Sequence, residues 1–587
     1  MRKKHFLFAS VLALLCSSST LHAQDFKLTS SGYFKNQGVD IMAFDDIYPE
    51  GHQGGVCIIM NGHRVATNGD IRLEATPGQW QPVPKQLDRK LGDNSITATL
   101  CYPDSSRHLT GFNPMIYPDL HLIYTVNVES KGKNIEVTVD LDRPIPQEFI
   151  GKVGFNLEFF PGSLFGKPWI MDGQSGIFPQ QPNSPLMTTQ PNYLHTGNYH
   201  DGKKSLADMD KLIGKGYSPI VADDIISEPY AKGTKFTSRP DDPYNKVTIE
   251  SLSGDLQLFD GRMNHNNGWF VLRSNIKPGV TKGAVKWIIT PNVVADWMYQ
   301  PVIQTSQIGY HPTQDKEAVI EMDIRDNRKE TAQIIRIDAD GEKVVKNVTP
   351  ANWGKFLRYN YLKVNFTDVK EPGLYKIKYN TSVSPIFRID NDVYARGVWQ
   401  PVLEYFLPVQ MCHMRVNEKY RVWHDCCHMD DAQMAPAHNH IDGYDQKEGL
   451  SKFKPGEVVP GVNIGGWHDA GDFDLRIESQ AGESYILALA YEAFHPNLDV
   501  TSIDQINRVT EIHQPDGKND LLQQVENGAL TVVNGYLALG RLYRGIICND
   551  LRQYVLLGDA AAMTDGKIGN EDDRWIFTED NPGRELS

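Results

Sequence analysis

The chain has 587 residues, of which 40% are hydrophobic and 22% are charged. This length exceeds that of one compact domain, and the composition is that of a folded multidomain protein. The formal net charge of −14 argues against a nucleic-acid partner, because neutralising phosphates requires a basic face.

The first 23 residues have the pattern of a secretory signal peptide: a basic start, an apolar run from Phe6 to Leu15, and a small-residue end at Ala23. A lipoprotein signal acylated at Cys16 is the alternative, but Leu15 directly before this cysteine fits that pattern poorly. We therefore expect a secreted or periplasmic protein, with a surface lipoprotein as the alternative. No later stretch reaches the length of uninterrupted apolar sequence that a membrane span requires, so none is predicted.

Residues 24–300 alternate apolar and polar positions over short segments that are separated by turn residues. The segment "HLIYTVNVES" is followed by the turn "KGKN" and a second alternating run, which predicts a hairpin with one buried face. This pattern predicts an all-β sandwich. Its role is unassigned: aromatics such as Trp169 and Tyr193 could stack against sugars, or could pack in the core.

Residues 301–389 form a second β unit of about ninety residues. In "YLKVNF" and "GLYKIKYN" the apolar residues again alternate with polar ones, and "EPG" supplies a turn between these two segments. The length and pattern predict an immunoglobulin-like sandwich, which we interpret as a support.

The pattern becomes helical from residue 390. We expect a first helix with apolar residues at Tyr394, Val398, Val402, Tyr405 and Val409, since these positions have helical spacing. A second helix over residues 476–494 is apolar nearly all round in its second half, which predicts burial on several sides. Asn519 or Asp520 caps a third helix. These patterns predict an all-α region.

A long polar connection between the first two helices ends in "GGWHDAGDFD", residues 465–474. The glycines allow an unusual backbone path, and Asp469 and Asp472 can face one cleft and hold a water molecule between them. A calcium loop or a structural Asx turn would explain the same residues.

This stretch resembles the catalytic signature of glycoside hydrolase family 9, the inverting cellulase family, in which GGW is followed by an aromatic residue and DAGD. "VIQTSQIGYHP" and "SPIFRID" are similar to the immunoglobulin-like domain of one branch of that family, and "YVLLGDAAAMTDG" follows the family's order. The resemblance covers roughly residues 303–587. It implies that residues 390–587 are the first part of an (α/α)6 barrel, the six-hairpin glycosidase fold, with Asp472 as general base and Asp469 positioning the water.

The same resemblance implies a missing catalytic group. Inversion needs an acid and a base on opposite faces of the sugar, roughly 6.5–9.5 Å apart, so two aspartates on one turn cannot form that pair. The family's acid is a glutamate, and Glu571, Glu579 and Glu585 are not in its motif. A twelve-helix barrel needs on the order of 400 residues, so we expect a chain truncated within its catalytic domain and lacking the acid.

The resemblance also implies a structural zinc held by Cys412, Cys427, His428 and His468, a ligand set that suits a closed tetrahedral site. A disulfide from Cys412 to Cys426 or Cys427 is the alternative for an exported protein. Calcium is common in the family, but no loop of this sequence specifies it.

Candidates for stacking against glucose rings are the aromatic residues around the motif, each of which could instead be packing: Trp423, Tyr444, Trp467, Phe473 and Trp575. The expected substrate is a plant-type β-1,4-glucan: cellulose, xyloglucan or mixed-linkage glucan, as polymer or oligosaccharide. The competing hypothesis is a non-catalytic polysaccharide-binding or scaffold protein, or an inactive fragment. The sequence does not indicate an oligomeric state.

Overall fold

The computed structural model describes most of the chain, in twelve segments: residues 25–45, 55–73, 84–102, 122–183, 186–187, 226–263, 268–356, 358–439, 445–447, 449–469, 473–548 and 574–578. The expected signal peptide and Tyr193, Tyr444 and Asp472 therefore lie outside the described residues.

The N-terminal region is built of strands, with short 3-10 turns at Gln147–Phe149, Pro161–Ser163 and Gly261–Met263. Its strands are β1 (Lys27–Leu28), β2 (Phe34–Asn36), β3 (Val39–Ala43), β4 (Val56–Met60), β5 (His63–Leu73), β6 (Lys85–Leu91), β7 (Ser95–Cys101), β8 (Ile123–Lys131), β9 (Asn134–Leu141), β10 (Val153–Phe159), β11 (Pro168–Met171), β12 (Gln174–Ile177), β13 (Leu186–Met187), β14 (Ile226–Ser227), β15 (Ala231–Gly233), β16 (Lys235–Ser238), β17 (Val247–Ser251), β18 (Leu256–Asp260), β19 (Phe270–Asn275) and β20 (Val285–Pro291).

These strands form two nine-stranded antiparallel sheets and the small ribbon β13–β14. The first sheet has the order β1-β2-β3-β4-β5-β10-β19-β18-β15, and the second has the order β12-β11-β16-β17-β20-β9-β8-β7-β6. Phe155 of the first sheet meets Trp287 of the second with ring centroids 5.0 Å apart. The sheets thus pack face to face around one core, as a β-sandwich does.

The predicted hairpin is strands β8 and β9, whose alternate residues point into this core. Val126, Val128, Ile135 and Val137 are fully buried, whereas the residues that alternate with them, such as Asn127 and Glu136, are partly exposed. Strand β10 is buried along its whole length, and its buried Glu158 accepts a 2.6 Å hydrogen bond from Asn68. Trp169 is 6% exposed and lies in the core. Of the two alternatives, stacking against a sugar or packing in the core, this position agrees with core packing.

The next region has strands β21 (Val302–Gln304), β22 (Glu317–Asp323), β23 (Ala332–Asp338), β24 (Gly341–Val348), β25 (Ala351–Phe356), β26 (Tyr359–Asn365), β27 (Gly373–Tyr379), β28 (Ser382–Val383) and β29 (Phe387–Ile389). One sheet has the order β21-β22-β26-β25, and the other has the order β24-β23-β27-β28 with β29 also paired to β27. The predicted inward residues of β26 and β27, among them Leu362 and Ile377, are fully buried in a core between the sheets. The expected immunoglobulin-like sandwich is confirmed.

The C-terminal region contains three helices, α1 (Gln400–Leu403), α2 (Ile477–Phe494) and α3 (Asp520–Leu539). Its strands are β30 (Arg415–Glu418), β31 (Arg421–His424), β32 (Gln433–Met434), β33 (His438–Asn439), β34 (Asp445–Gln446), β35 (Leu475–Arg476), β36 (Thr501–Asp504), β37 (Val509–Ile512), β38 (Gly545–Cys548) and β39 (Arg574–Phe577). Two small sheets, β31-β30-β37-β36 and β32-β39-β38-β35, accompany the helices. The all-α expectation is therefore wrong for the described part of this region, which shows no (α/α)6 barrel.

The expected first helix is one short turn, α1. Val402, Tyr405 and Val409 are 60–70% exposed instead of forming a buried face. Two prolines limit this helix. Pro401 fits only in a first helical turn, so a helix that contains it cannot begin near Tyr394, and Pro408 disfavours helical geometry in the residue before it. Helical spacing of apolar residues was therefore insufficient to make a helix.

Helices α2 and α3 have the expected positions, and the Asn519 side chain caps α3 by accepting a 3.1 Å hydrogen bond from the Leu521 amide. The expected burial of α2 on several sides is wrong, because Ile486 is 65% and Phe494 80% exposed. On α3 the buried face holds Gln524, Asn527, Gly528, Thr531 and Gly535, whereas Leu537 is 71% exposed. Within the described chain, neither long helix is apolar enough to cross a bilayer.

Candidate active site and metal centre

The loop that carries the motif is tied to both long helices at its start. Gly465 and Gly466 have φ of +68° and +85°, the left-handed region that favours glycine. The Gly466 amide donates a 2.9 Å hydrogen bond to the Asn527 carbonyl of α3. On the α2 side, the Gln480 side chain accepts from the Trp467 amide and donates to its carbonyl, both at 2.8 Å.

The Trp467 side chain lies under this loop and is 1% exposed. Its ring packs against Phe406, with centroids 5.3 Å apart, and against Gly528 of α3. A Cβ at Gly528 would lie 2.2 Å from the ring, so glycine is required there. The structure thus places Trp467 in the core rather than on a sugar-facing surface.

Asp469 lies at the open side of the loop, with its side chain 25% exposed. Its Oδ2 accepts a 3.1 Å hydrogen bond from Arg476 Nε, and Arg476 also donates at 3.1 Å to the fully buried carboxylate of Asp474. The Asp469 amide donates to the Asp474 carbonyl at 3.1 Å. Asp469 and Asp474 are therefore joined by a backbone hydrogen bond and through the side chain of Arg476. Asp472 lies outside the described residues, so the described site contains only one of the two predicted catalytic aspartates, Asp469.

The four predicted zinc ligands come together next to this loop. Their ligand atoms lie within 4.8 Å of one another, and all four residues are buried. Cys427 Sγ lies 3.8 Å from Cys412 Sγ and 3.5 Å from His468 Nε2, and Cys412 Sγ lies 3.6 Å from His428 Nδ1. Tetrahedral zinc, with Zn–S of about 2.3 Å and Zn–N of about 2.0–2.1 Å, would separate two sulfurs by about 3.8 Å and a sulfur from a nitrogen by about 3.6 Å. The cluster thus fits a tetrahedral ion.

The disulfide alternative is not present in the structure. A disulfide would bring the two sulfurs to about 2.05 Å, and Cys412, Cys426 and Cys427 are all free. The Cys426 Sγ contacts the Arg508 carbonyl at 3.8 Å and is not part of the cluster. Among the described residues, this cluster is the one group of His, Cys or carboxylate side chains suited to a metal, so calcium remains unplaced.

Burial and hydrogen bonding set the protonation of the cluster. Burial lowers the pKa of His428 and of His468, which keeps both imidazoles neutral and able to bind a metal. Burial alone would raise the pKa of Cys412, but the hydrogen bond from Cys427 and the nearby His413 and Arg574 hold it well below its usual range. The same hydrogen bond, together with burial, raises the pKa of Cys427. The hydrogen bond between the two sulfurs thus favours a thiolate at Cys412 and a protonated thiol at Cys427.

Arg574, on strand β39, joins the cluster to the loop. Its backbone amide donates to Asp431 Oδ1 at 2.9 Å, and its guanidinium pairs with the same buried carboxylate. The guanidinium also donates to Cys412 Sγ at 3.3 Å and to the Phe473 carbonyl, next to Asp474. Sequence reasoning missed Arg574, Asp431 and Arg476. A charged residue at the start of the apolar run "RWIF" was the one available signal for Arg574.

The remaining predicted aromatic residues lie in different surroundings. Phe473 packs against His428 and His468, with centroids 5.6 and 5.0 Å apart, and so covers the cluster. Trp575 is half-buried beside Phe577. Trp423 is 38% exposed and donates from its indole nitrogen to Glu418 at 3.1 Å. Trp423 is the most exposed of the described candidates, and the Arg421 guanidinium lies over its ring, 4.8 Å from the centroid.

Comparison with known families identifies the middle module. Residues 298–384 match the family described as the cellulase N-terminal ig-like domain. No curated protein matches the chain.

Solved structures similar to this chain include glycoside hydrolases. A metagenome-derived glycoside hydrolase family 9 endoglucanase is 23% identical, with a TM-score of 0.32, and the match covers 42% of each chain. A family 9 protein from Bacteroides ovatus is 19% identical, with a TM-score of 0.33, and the match covers 47% of this chain and 45% of that one. A zinc-binding triple mutant of a family 9 endoglucanase is 22% identical, with a TM-score of 0.31 over 40% of each chain. The chain therefore spans less than half the length of each of these structures.

Proposed function

We propose that this protein is an inverting glycoside hydrolase of family 9 that acts on β-1,4-glucans. The observation that carries the proposal is an aspartate-bearing, glycine-bounded loop, fixed by Arg476, that follows a module of the cellulase N-terminal ig-like family. The acidic net charge of −14 is compatible with a neutral polysaccharide substrate.

In this proposal, Asp472 is the general base that takes a proton from the attacking water, and Asp469 holds that water. Arg476 binds one carboxylate oxygen of Asp469 and so fixes its orientation. Arg476 also binds the buried Asp474, which holds the guanidinium in place. The proposal assigns the general acid to no described residue.

We further propose that Cys412, Cys427, His428 and His468 hold a structural zinc ion. A closed site with four protein ligands has no open position for substrate, so the metal would supply stability and no catalytic chemistry. His468 directly precedes Asp469 in the chain, and Phe473 lies against both imidazoles. Both ends of the loop would therefore be held against the metal centre.

An activated substrate tests the assignment of the base. The leaving group of 2,4-dinitrophenyl β-cellobioside departs without protonation, so its hydrolysis needs the base and not the acid. We expect the full chain to hydrolyse it, and Asp472→Asn to lower kcat by at least about 100-fold. Asp425→Asn, a carboxylate outside the loop, is the matched control and should change kcat little.

The stereochemistry of the first product completes this test. An inverting reaction on the β-glycoside releases the α-anomer first, which proton NMR resolves before mutarotation. Initial release of the β-anomer, or equal rates for Asp472→Asn and the parent protein, would contradict the proposed mechanism.

We also propose export through the N-terminal 23 residues. The mature protein would then begin at Gln24. N-terminal mass spectrometry of the protein recovered from its native host would decide this, because an acylated Cys16 would instead indicate the lipoprotein alternative.

A further inference from the structure

A cavity of about 490 Å³ lies at the junction between the N-terminal sandwich and the immunoglobulin-like sandwich. One wall comes from strands β1 to β3, and the other comes from residues 293–299 and the start of strand β26. This volume is in the range of ligand-binding clefts in proteins. The proposed hydrolysis at the 469–474 loop does not use this cavity.

Five aromatic rings run from this cavity onto the outer face of the immunoglobulin-like sheet β21-β22-β26-β25. Neighbouring centroids are 5.1 to 6.3 Å apart, in the order Trp297, Tyr299, Tyr359, Tyr361 and Trp353. We call these five residues the aromatic row. Trp353, at the open end of the row, is 56% exposed. The other four rings are partly exposed. A contiguous, partly open aromatic surface on a folded protein can mark a binding site.

Hydrogen bonds fix the row in position. Glu321 accepts from the Tyr299 hydroxyl at 2.7 Å and from the Tyr361 hydroxyl at 3.2 Å. Asp323 accepts from the Tyr299 amide at 3.0 Å, and the Trp297 carbonyl accepts from Gln37 and Arg325, both at 2.8 Å. These bonds hold the Tyr299 and Tyr361 side chains and the backbone at Trp297, which lowers the entropic cost of ordering this part of the row around a ligand.

The charges around the cavity are nearly balanced. Four cations and three carboxylates line it: Lys27, Lys35, Arg325 and Arg358 with Asp25, Asp40 and Asp323. Burial raises the pKa of Asp40 to about 6, so Asp40 is ionised at neutral pH, 3.7 Å from the Arg358 guanidinium. A balanced set of carboxylates and guanidinium groups suits a neutral, hydroxyl-rich ligand better than a polyanion.

We propose that the aromatic row and this cavity bind a single β-glucan chain. Each pyranose ring has an apolar C–H face for an aromatic ring and a hydroxyl edge for carboxylate and guanidinium groups. The planes of neighbouring rings in the row are inclined by 54° to 87°, so the row has no flat surface. The ligand is therefore a soluble, twisted chain and not a crystalline cellulose face. This inference takes its sugar class from the proposed function, but the site does not depend on catalysis.

Affinity electrophoresis of the full chain tests this site. All proteins carry Asp472→Asn, so hydrolysis neither consumes the ligand nor is required. We expect hydroxyethylcellulose and mixed-linkage β-glucan to retard the parent protein, and Trp353→Ala to raise the Kd about fivefold or more. Trp353→Phe should retain most of the affinity. Tyr420→Ala is the matched control, because Tyr420 is 97% exposed and outside the row, and its Kd should stay within about twofold.

The outcomes separate this site from the proposed reaction. Equal retardation of the parent and Trp353→Ala would show that the glucan binds elsewhere and would overturn the row as a glucan site. No retardation by either glucan, or retention by polygalacturonate or crystalline cellulose alone, would also overturn it. A second assay measures hydrolysis of the small dinitrophenyl substrate with Asp472 restored. Trp353→Ala should leave that rate unchanged, so a failed reaction and a failed binding site give different results.

Discussion

Cys412 and Cys427 are single residues whose role as metal ligands could be predicted from the sequence, whereas some of their neighbours could not. The ligand set came from a family resemblance, and the structure brings all four side chains into one buried cluster. The contacts of Arg574 could not be predicted in the same way, because its partner Asp431 is 143 residues away in sequence. A sequence pattern reports local spacing, whereas a buried ion pair between segments far apart in the chain depends on the folded topology.

The zinc content of the purified protein depends on these single residues. We expect about one zinc ion per chain, and Cys427→Ser should abolish zinc binding, because one of four ligands is lost from a closed site. Cys426→Ser is the matched control, since this neighbouring thiol lies outside the cluster. Inductively coupled plasma mass spectrometry of the purified proteins measures both.

Two results would contradict the zinc site. One is a parent protein without zinc in which peptide mapping finds a Cys412–Cys427 disulfide. The other is loss of zinc in Cys426→Ser together with full zinc in Cys427→Ser.

Helices α2 and α3 show where element-level reasoning succeeded and failed. Their bounds follow from caps and composition, which are local properties. Their buried faces were misjudged, because the expectation assigned apolar residues to the core. Bulky rings from neighbouring segments instead press on small residues: Trp467 on Gly528, and Tyr543 on Gly535. The strands of the two sandwiches were predicted better, since a period of two places side chains on defined faces. The short strands β30 to β39 were not predicted.

A pair of glycine variants tests this packing. Gly528→Ala should lower the free energy of unfolding by about 3 kcal/mol, because the new methyl group would overlap the Trp467 ring. Gly482→Ala on α2 meets no atom within 4 Å and should stabilise its helix by about 0.5–1 kcal/mol. Calorimetry of the full chain gives both values. Equal effects of the two substitutions would mean that the ring does not press on Gly528.

Glu483 gives helix α2 a pH dependence. Burial raises the pKa of its carboxyl to about 7, so the folded state holds a proton that the unfolded state releases above about pH 4.5. The stability of the helix should therefore fall as the pH rises from about 4.5 to 7. Glu483→Gln removes this loss and should stabilise the helix at pH 8 by about 1–2 kcal/mol, after allowance for partial exposure, with little change at pH 4.5.

Hydrogen exchange of peptides from Ile477–Phe494 measures that difference locally. The control is Glu492→Gln on the same helix, where the side chain is exposed. A stabilisation of equal size for both variants, or one that persists unchanged at pH 4.5, would argue against burial of Glu483 as the cause.

In the whole molecule, the two β regions pack closely against each other. We call this interface the seam, and it joins Gly38, Asp40 and Gly62 to Trp297, Tyr299 and Arg358. Cβ atoms at Gly38 and Gly62 would lie 2.7 Å from the Trp297 ring and 2.9 Å from the Tyr299 ring. Arg358 of the immunoglobulin-like sandwich reaches Asp40 of the other. The order of β and helical regions could be predicted from periodicity, but this seam could not, because no sequence pattern states which loops meet.

Gly62→Ala tests whether the seam couples the two sandwiches. At a φ of +85° the substitution is strained and also drives a methyl group into Tyr299. We expect the two β regions to unfold together in the parent protein and in separate calorimetric transitions in Gly62→Ala. Gly279→Ala has a similar φ of +74° but meets no atom within 4 Å, so it should cost about 1 kcal/mol without separating the transitions.

The same seam determines where the chain can be cut to produce separate domains. Trp297 and Tyr299 precede the boundary expected at residue 300, yet Asp323 and Arg325 beyond it bind their backbone. An isolated immunoglobulin-like sandwich that starts at residue 301 would lose those two rings and leave the Asp323 carboxylate without the Tyr299 amide. Excision should therefore keep residues 293–300 with the second sandwich, although the first sandwich then loses part of its own surface. The eight residues between the sandwiches are shared structure and not a linker.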